Sequence, residues 1–184
     1  RHHFDVPAEK LHVIYNGVDA TRFHPRLRAG SRSAILQSLG IPDSAFVHLC
    51  VGSGFERKGI PQLIGAMRSM PRETHLVVVG ADRKLASMRA AVSAGGLDGR
   101  VHFPGPQRDI ERWYAAADCF VLPTLYDPFP NAVMEAMASG LPVITSRQCG
   151  AAELLEPAGG GLVCDALDID ALAAHMRAVQ NRPA

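Results

Sequence analysis

Short apolar runs alternate with helical segments about six times from Ala45 onward. No other feature narrows the fold as far. FVHLCV (46–51), THLVVVG (74–80), VHF (101–103), CFVLP (119–123), LPVIT (141–145) and GGLVC (160–164) read as strands. They are near-continuous rather than alternating in polarity, the pattern of strands buried on both faces. The segments between them carry apolar residues at helical spacing. Ile60–Met70 has Leu63, Ile64 and Met67, and Ile110–Ala117 has Trp113 and Tyr114. Asp168–Val179 has Leu172, His175, Met176 and Val179 on one side. Arg83–Ala94, Asn131–Ser139 and Ala151–Glu156 complete the set. The expectation is an α/β domain, Rossmann-like, with a parallel sheet, right-handed crossovers and helices on both faces.

In such sheets ligands sit outside the carboxyl ends of the strands. The loops of interest are therefore 52–59, 80–83, 104–109, 124–131 and 146–151, all rich in Gly, Pro or polar residues. Residues 1–30 read as irregular, with one apolar run, LHVIYNGV. The opening RHHFDVPAEK has no initiating Met and no signal-peptide pattern, so the chain is expected to be a piece of something longer.

The 184 residues are enough for one domain with a sizeable core. A formal net charge of +1 gives no case for nucleic-acid binding. No apolar run approaches the ~20 residues of a membrane span. Cys50, Cys119, Cys149 and Cys164 are widely spaced and form no CxxC pair, so they read as reduced core thiols of a cytoplasmic protein. The eight histidines, His2 and His3 included, contain no HExxH and read as surface or core residues.

Two stretches carry chemistry. In VGSGFERKGI, Gly52 and Gly54 follow a strand, and Arg57 and Lys58 precede a helix. The pattern is neither GxGxxG nor GxxxxGK[ST]. Cations at the positive end of a helix conflict electrostatically unless an anion binds nearby. The other reading is a solvated turn whose glycines meet only backbone needs. In LYDPFPNAVMEAMASGLPVIT, Asp127 precedes a helix and Glu135 lies within it. Asn131 and Glu135 share a helical face, with small residues around them. A carboxylate is a good bidentate acceptor for two neighbouring sugar hydroxyls. The plainer reading makes Asp127 a turn former and Glu135 a solvated helix residue.

Taken together, these stretches resemble the donor-binding half of a B-type glycosyltransferase of family 4, which carries two acids eight positions apart in an EPFG…EAMA.GLPV pattern. VIYNGVDATRFHP (13–25) resembles the segment by which that family enters its second domain, and VHFPGPQRDIERWYAAAD (101–118) its V.F.G…Y..AD run. The likeness covers about residues 11–180. Within the family it looks most similar to lipopolysaccharide-core glucosyltransferases.

The resemblance implies a two-domain enzyme in which residues 1–30 lead in from an N-terminal domain and 31–184 bind the donor. It implies retaining hexosyl transfer from a nucleoside-diphosphate sugar, a UDP-sugar being favoured, to a glycan or glycolipid acceptor held by the other domain. Glu135 would hold the ribose and Asp127 the transferred sugar. Arg57 and Lys58 would bind the diphosphate. Phe129, Pro130, Asn131 and Ala132 would form the turn facing sugar and phosphates. Gly105 and Pro106 would lie beside the base, and Arg22 is a further phosphate candidate. Three positions depart from the pattern. Asp127 is a methylene shorter than Glu, Ser53 stands where many relatives have Arg, and Pro130 lacks an N–H.

Asp168-x-Asp170 is similar to a metal-binding DxD, but it precedes a helix and reads as a cap. No metal and no cofactor are expected. The full-length protein is expected in the cytoplasm at the inner face of the membrane, with no direct membrane contact from these residues. A nucleotide-sugar epimerase of similar fold and a non-catalytic nucleotide-sugar-binding module are the alternatives.

Overall fold

A computed structural model describes residues 7–182. His2 and His3 lie outside the described residues. Six parallel strands form one sheet: β1 (Phe46–Val51), β2 (Thr74–Val79), β3 (Val101–Gly105), β4 (Cys119–Leu122), β5 (Val143–Ser146) and β6 (Gly161–Cys164). Their order is β3-β2-β1-β4-β5-β6. Helices occupy the crossovers: α2 (Ile60–Met67), α3 (Leu85–Ala94), α4 (Ile110–Ala116), α5 (Asn131–Ala138) and α6 (Ala152–Ala158). Before the sheet comes α1 (Arg28–Ser38), and after it α7 (Ile169–Gln180). This is the doubly wound arrangement expected for a Rossmann-like domain.

The core explains the order. β2 is buried along its whole length, and Leu49, Phe120, Val121, Ile144 and Leu76 are at most 1% exposed. α1 packs on α4 and α4 on α5, while α2 packs against α3 and α7. The sheet therefore lies between two layers of helices, and its strands need apolar side chains on both faces. Three cysteines, Cys50, Cys119 and Cys164, sit in strands; Cys149 follows β5; all four are buried free thiols.

Several expected boundaries move by two or three residues, for local reasons. Leu141 donates its N–H to the Ala136 carbonyl and closes α5, so LPVIT contributes a strand only from Val143. Ser69 and Met70 bond three residues back and form a tightened tail beyond α2. Asp82 accepts from the Lys84 N–H, and α3 starts only at Leu85. Asp168 caps α7 by accepting from the Ala171 N–H, as the capping reading expected.

α1 is the element with no counterpart in the sequence reading, and it crosses the expected boundary at 30/31. Phe23, ahead of it, is also a core residue. The helix buries only Ser31, Ile35 and Leu36, so it shows little apolar periodicity. Polar contacts hold it instead. Arg32 reaches Asp118 at 3.1 Å and the Ala45 carbonyl at 2.7 Å, and Asp118 accepts the Val47 N–H at 2.8 Å.

Candidate functional site

β1 and β4 are neighbours, with β2 and β3 on one side and β5 and β6 on the other. The chain turns opposite ways after these two strands, which leaves a crevice at their carboxyl ends. The loop after β1 and the loop after β4 meet there. Leu125 N–H and Thr124 Oγ1 both donate to the Arg57 carbonyl, at 2.8 and 2.9 Å. Gly59 has φ +78°, and a Cβ on it would lie 2.1 Å from the Pro123 carbonyl oxygen. Only glycine permits that approach.

The charged side chains of both loops converge. Lys58 Nζ donates to Asp127 Oδ2 at 2.7 Å, and Arg57 Nη1 donates to the same oxygen at 3.0 Å. Arg57 also donates to the Tyr126 carbonyl at 2.9 Å. Lys58 and Asp127 are each 8% exposed, whereas the Arg57 side chain is 47% exposed. Burial by itself pushes the Asp127 carboxyl up. The hydrogen bonds and charges of Lys58 and Arg57 outweigh it and hold the group below its ordinary value. Asp127 is fixed through its backbone as well. Its N–H donates to the Gln148 carbonyl at 3.3 Å, and its carbonyl accepts the Gly150 N–H at 2.9 Å. A Cβ at Gly150 would sit 1.7 Å from the Pro128 carbonyl oxygen, so the loop after β5 presses directly on this turn.

α5 begins at Asn131, directly after Pro130, which is buried and extended. Among the described residues no side chain caps the helix. Its first N–H groups therefore lack a side-chain acceptor at the positive end of the helix dipole. The Tyr15 ring lies 5.1 Å from that of Phe129, and Asn16 Nδ2 donates to Asn131 Oδ1 at 2.9 Å. The segment that carries Tyr15 and Asn16 thus touches the same turn.

Glu135 lies one turn further along, half-buried. Its Oε2 accepts from the Tyr114 hydroxyl at 2.8 Å. Tyr114 is wholly buried, edge-on to Phe23 and against Phe120, both at 5.7 Å. Burial, then the Glu135 charge and hydrogen bond, drive the phenol well above its ordinary value, so it stays a donor.

The structure brings Arg57, Lys58 and Asp127 into direct contact and places Phe129, Pro130, Asn131, Ala132 and Glu135 in the adjoining turn and helix. Gly105 ends β3 with φ +80°, and Pro106 is exposed just beyond it, at the same edge but two strands from β1. Arg22 is not joined to the cationic pair. It binds Glu111 at 2.8 Å and lies over the Phe23 ring. Sequence reasoning assigned no role to Tyr114, Tyr15 or Asn16. The Y..AD run contained Tyr114, but nothing in the run names its partner. α5 buries Val133 and Ala136, and Met137 packs partly buried against the core.

A doubly wound sheet with a lysine, an arginine and a carboxylate at its switch point defines a Rossmann-like domain with a charged crevice. The profile of the family described as "Glycosyl transferases group 1" matches residues 45–181. The chain belongs to that family. It is 32% identical over 165 residues to the lipopolysaccharide glucosyltransferase WaaG of Escherichia coli (strain K12), covering 88% of this chain and 44% of that protein. It is 34% identical over 179 residues to the amylovoran biosynthesis glycosyltransferase AmsK of Erwinia amylovora, covering 91% and 41%. A crystal structure of WaaG superposes with a TM-score of 0.86 at 28% identity, covering 98% of this chain and 50% of that one. Anabaena HepE in complex with UDP and glucose gives 0.85 at 27% identity, covering 95% and 48%. The chain thus spans about half the length of the relatives it matches.

Proposed function

We propose that this chain is the donor half of a two-domain retaining glycosyltransferase. The substrate would be a nucleoside-diphosphate sugar, with UDP-glucose the first choice because HepE was crystallised with it. The hexosyl group would pass to an acceptor hydroxyl of a glycan or glycolipid held by the other half. The likeness to WaaG favours lipopolysaccharide synthesis as the context, and in that context the full-length enzyme would work in the cytoplasm at the inner face of the membrane. Among the described residues no helix is long and apolar enough to cross a membrane.

The observation that carries this reading is the meeting of Lys58, Arg57 and Asp127 at the switch point, beside the uncapped start of α5. The difficult event in the transfer is departure of the diphosphate from an oxocarbenium-like centre. Lys58, Arg57 and the first N–H groups of α5 are fixed cationic or dipolar groups suited to the charge that develops on the leaving oxygen. Glu135 offers Oε1 to ribose hydroxyls while Tyr114 occupies Oε2. Asp127 offers an acceptor to the sugar. Gly105 and Pro106 would border the base.

Calorimetric titration of the chain with UDP-, GDP- and ADP-glucose tests the reading. One of them should bind, and the Arg57→Ala/Lys58→Ala variant should lose it. Binding that ignores both substitutions removes the diphosphate role. Transfer is to be measured on the full two-domain enzyme.

A further inference from the structure

We infer that Asp127 makes the site discriminate against the nucleoside diphosphate left after transfer, by acting as the standing counter-ion of Lys58 and Arg57. This rests on reading the crevice as a donor site.

Both cations fall on one oxygen. Lys58 Nζ and Arg57 Nη1 donate to Oδ2, while Oδ1 takes no hydrogen bond from any described residue. The carboxylate cannot easily withdraw. Its residue is 8% exposed, and hydrogen bonds to Gln148 and Gly150 hold the backbone on both sides. A diphosphate that approaches Lys58 and Arg57 therefore meets a fixed negative charge already seated on them. In a crevice of low dielectric that repulsion is larger than at an open surface.

The two ligands meet this charge differently. A nucleotide sugar carries hydroxyl donors, and one of them can satisfy Oδ1. That hydrogen bond offsets the repulsion. In the transfer the bond between the anomeric carbon and the diphosphate oxygen breaks, and its electron pair stays on that oxygen. The acceptor hydroxyl bonds to the anomeric carbon through its oxygen while its proton passes, by way of the diphosphate oxygen, to solvent. The hydroxyl donor then leaves with the sugar, now bonded to the acceptor oxygen, and the diphosphate carries more negative charge than before. Asp127 retains its repulsion and loses its compensation. The product is bound more weakly than the substrate for a reason built into the site.

The test compares UDP and UDP-glucose by calorimetry on wild type and Asp127→Asn, which keeps the shape and removes the charge. The variant should bind UDP about tenfold more tightly and UDP-glucose no more tightly, so the preference for the sugar nucleotide collapses. Asp127→Glu should keep the preference. Asp127→Asn leaves Lys58 buried without its anion and lowers stability. Asp127→Ser, which admits water around Lys58, is therefore measured in parallel with the same expectation. If both neutral variants bind UDP as wild type does, or more weakly, while Arg57→Ala and Lys58→Ala still weaken it, the counter-ion role is wrong and the donor site stands. If no nucleotide binds wild type or any variant, the donor-site reading itself falls, and the inference with it.

Discussion

The hydroxyl of Tyr114, a residue with no exposed surface, reaches the Glu135 carboxylate at 2.8 Å. It links α4 to α5 and fixes one oxygen of the acid that the proposed function gives to ribose. Tyr114→Phe keeps the ring and its packing and removes one hydrogen bond to a charged group, worth ~1.5–3 kcal/mol. UDP affinity should fall by up to that amount, while the affinity for pyrophosphate, which has no ribose, stays unchanged. Equal losses for both ligands would make Tyr114 a purely structural residue.

The two cations should not be equivalent. Lys58 has a side chain 10% exposed, and that of Arg57 is 47% exposed. Interactions of a desolvated charge are screened less. Lys58→Ala should weaken UDP by ~2–4 kcal/mol, and Arg57→Ala by less, with the Arg57 effect shrinking further at high salt. Titrations at two ionic strengths separate them.

The histidines make the fold acid-sensitive. His48 is wholly buried in β1, neither ring nitrogen has a partner among the described residues, and burial lowers its pKa to about 3. Burial, with His75 beside it, lowers His102 to about 4. The unfolded chain takes up these protons near pH 6.5, and the folded chain does not until far lower pH. The unfolded state therefore binds more protons across this window, and stability falls as pH drops from about 6.5 toward 3. Each unit of displacement is worth ~1.4 kcal/mol, so His48 alone withdraws on the order of 4 kcal/mol. His48→Leu should flatten this dependence and raise stability at pH 7 by ~1 kcal/mol. Urea unfolding at pH 7, 5.5 and 4.5 measures both.

Gly59 and Gly150 set the distance between the loops that build the crevice. A methyl at either meets a backbone carbonyl oxygen, of Pro123 at 2.1 Å or of Pro128 at 1.7 Å. Gly150→Ala should cost ~2 kcal/mol or more of stability and weaken UDP, because Gly150 also holds the Asp127 carbonyl. Gly99→Ala, with φ +75° but nothing within 4 Å, should cost ~1 kcal/mol and leave UDP binding intact. Thermal melts with and without UDP distinguish the two.

The six strands and the helices between them were legible along the chain because a sheet buried on both faces needs runs of apolar residues, and such runs are local in sequence. Arg57, Lys58, Asp127 and Glu135 were legible as candidates because acids and adjacent cations stand out in a Gly- and Pro-rich loop. α1 was not, since Arg32 and Asp118 hold it across 86 positions rather than by a periodic apolar face. Nor was the pairing of the site. Asp127 lies 69 residues from Lys58, and Tyr114 lies 21 from Glu135. Strand spacing in the sheet decides those contacts: β1 and β4 become neighbours only when β4 crosses to the far side of β1. Sequence chose the groups that carry charge. The switch point of the folded sheet decided that two cations would share one carboxylate oxygen.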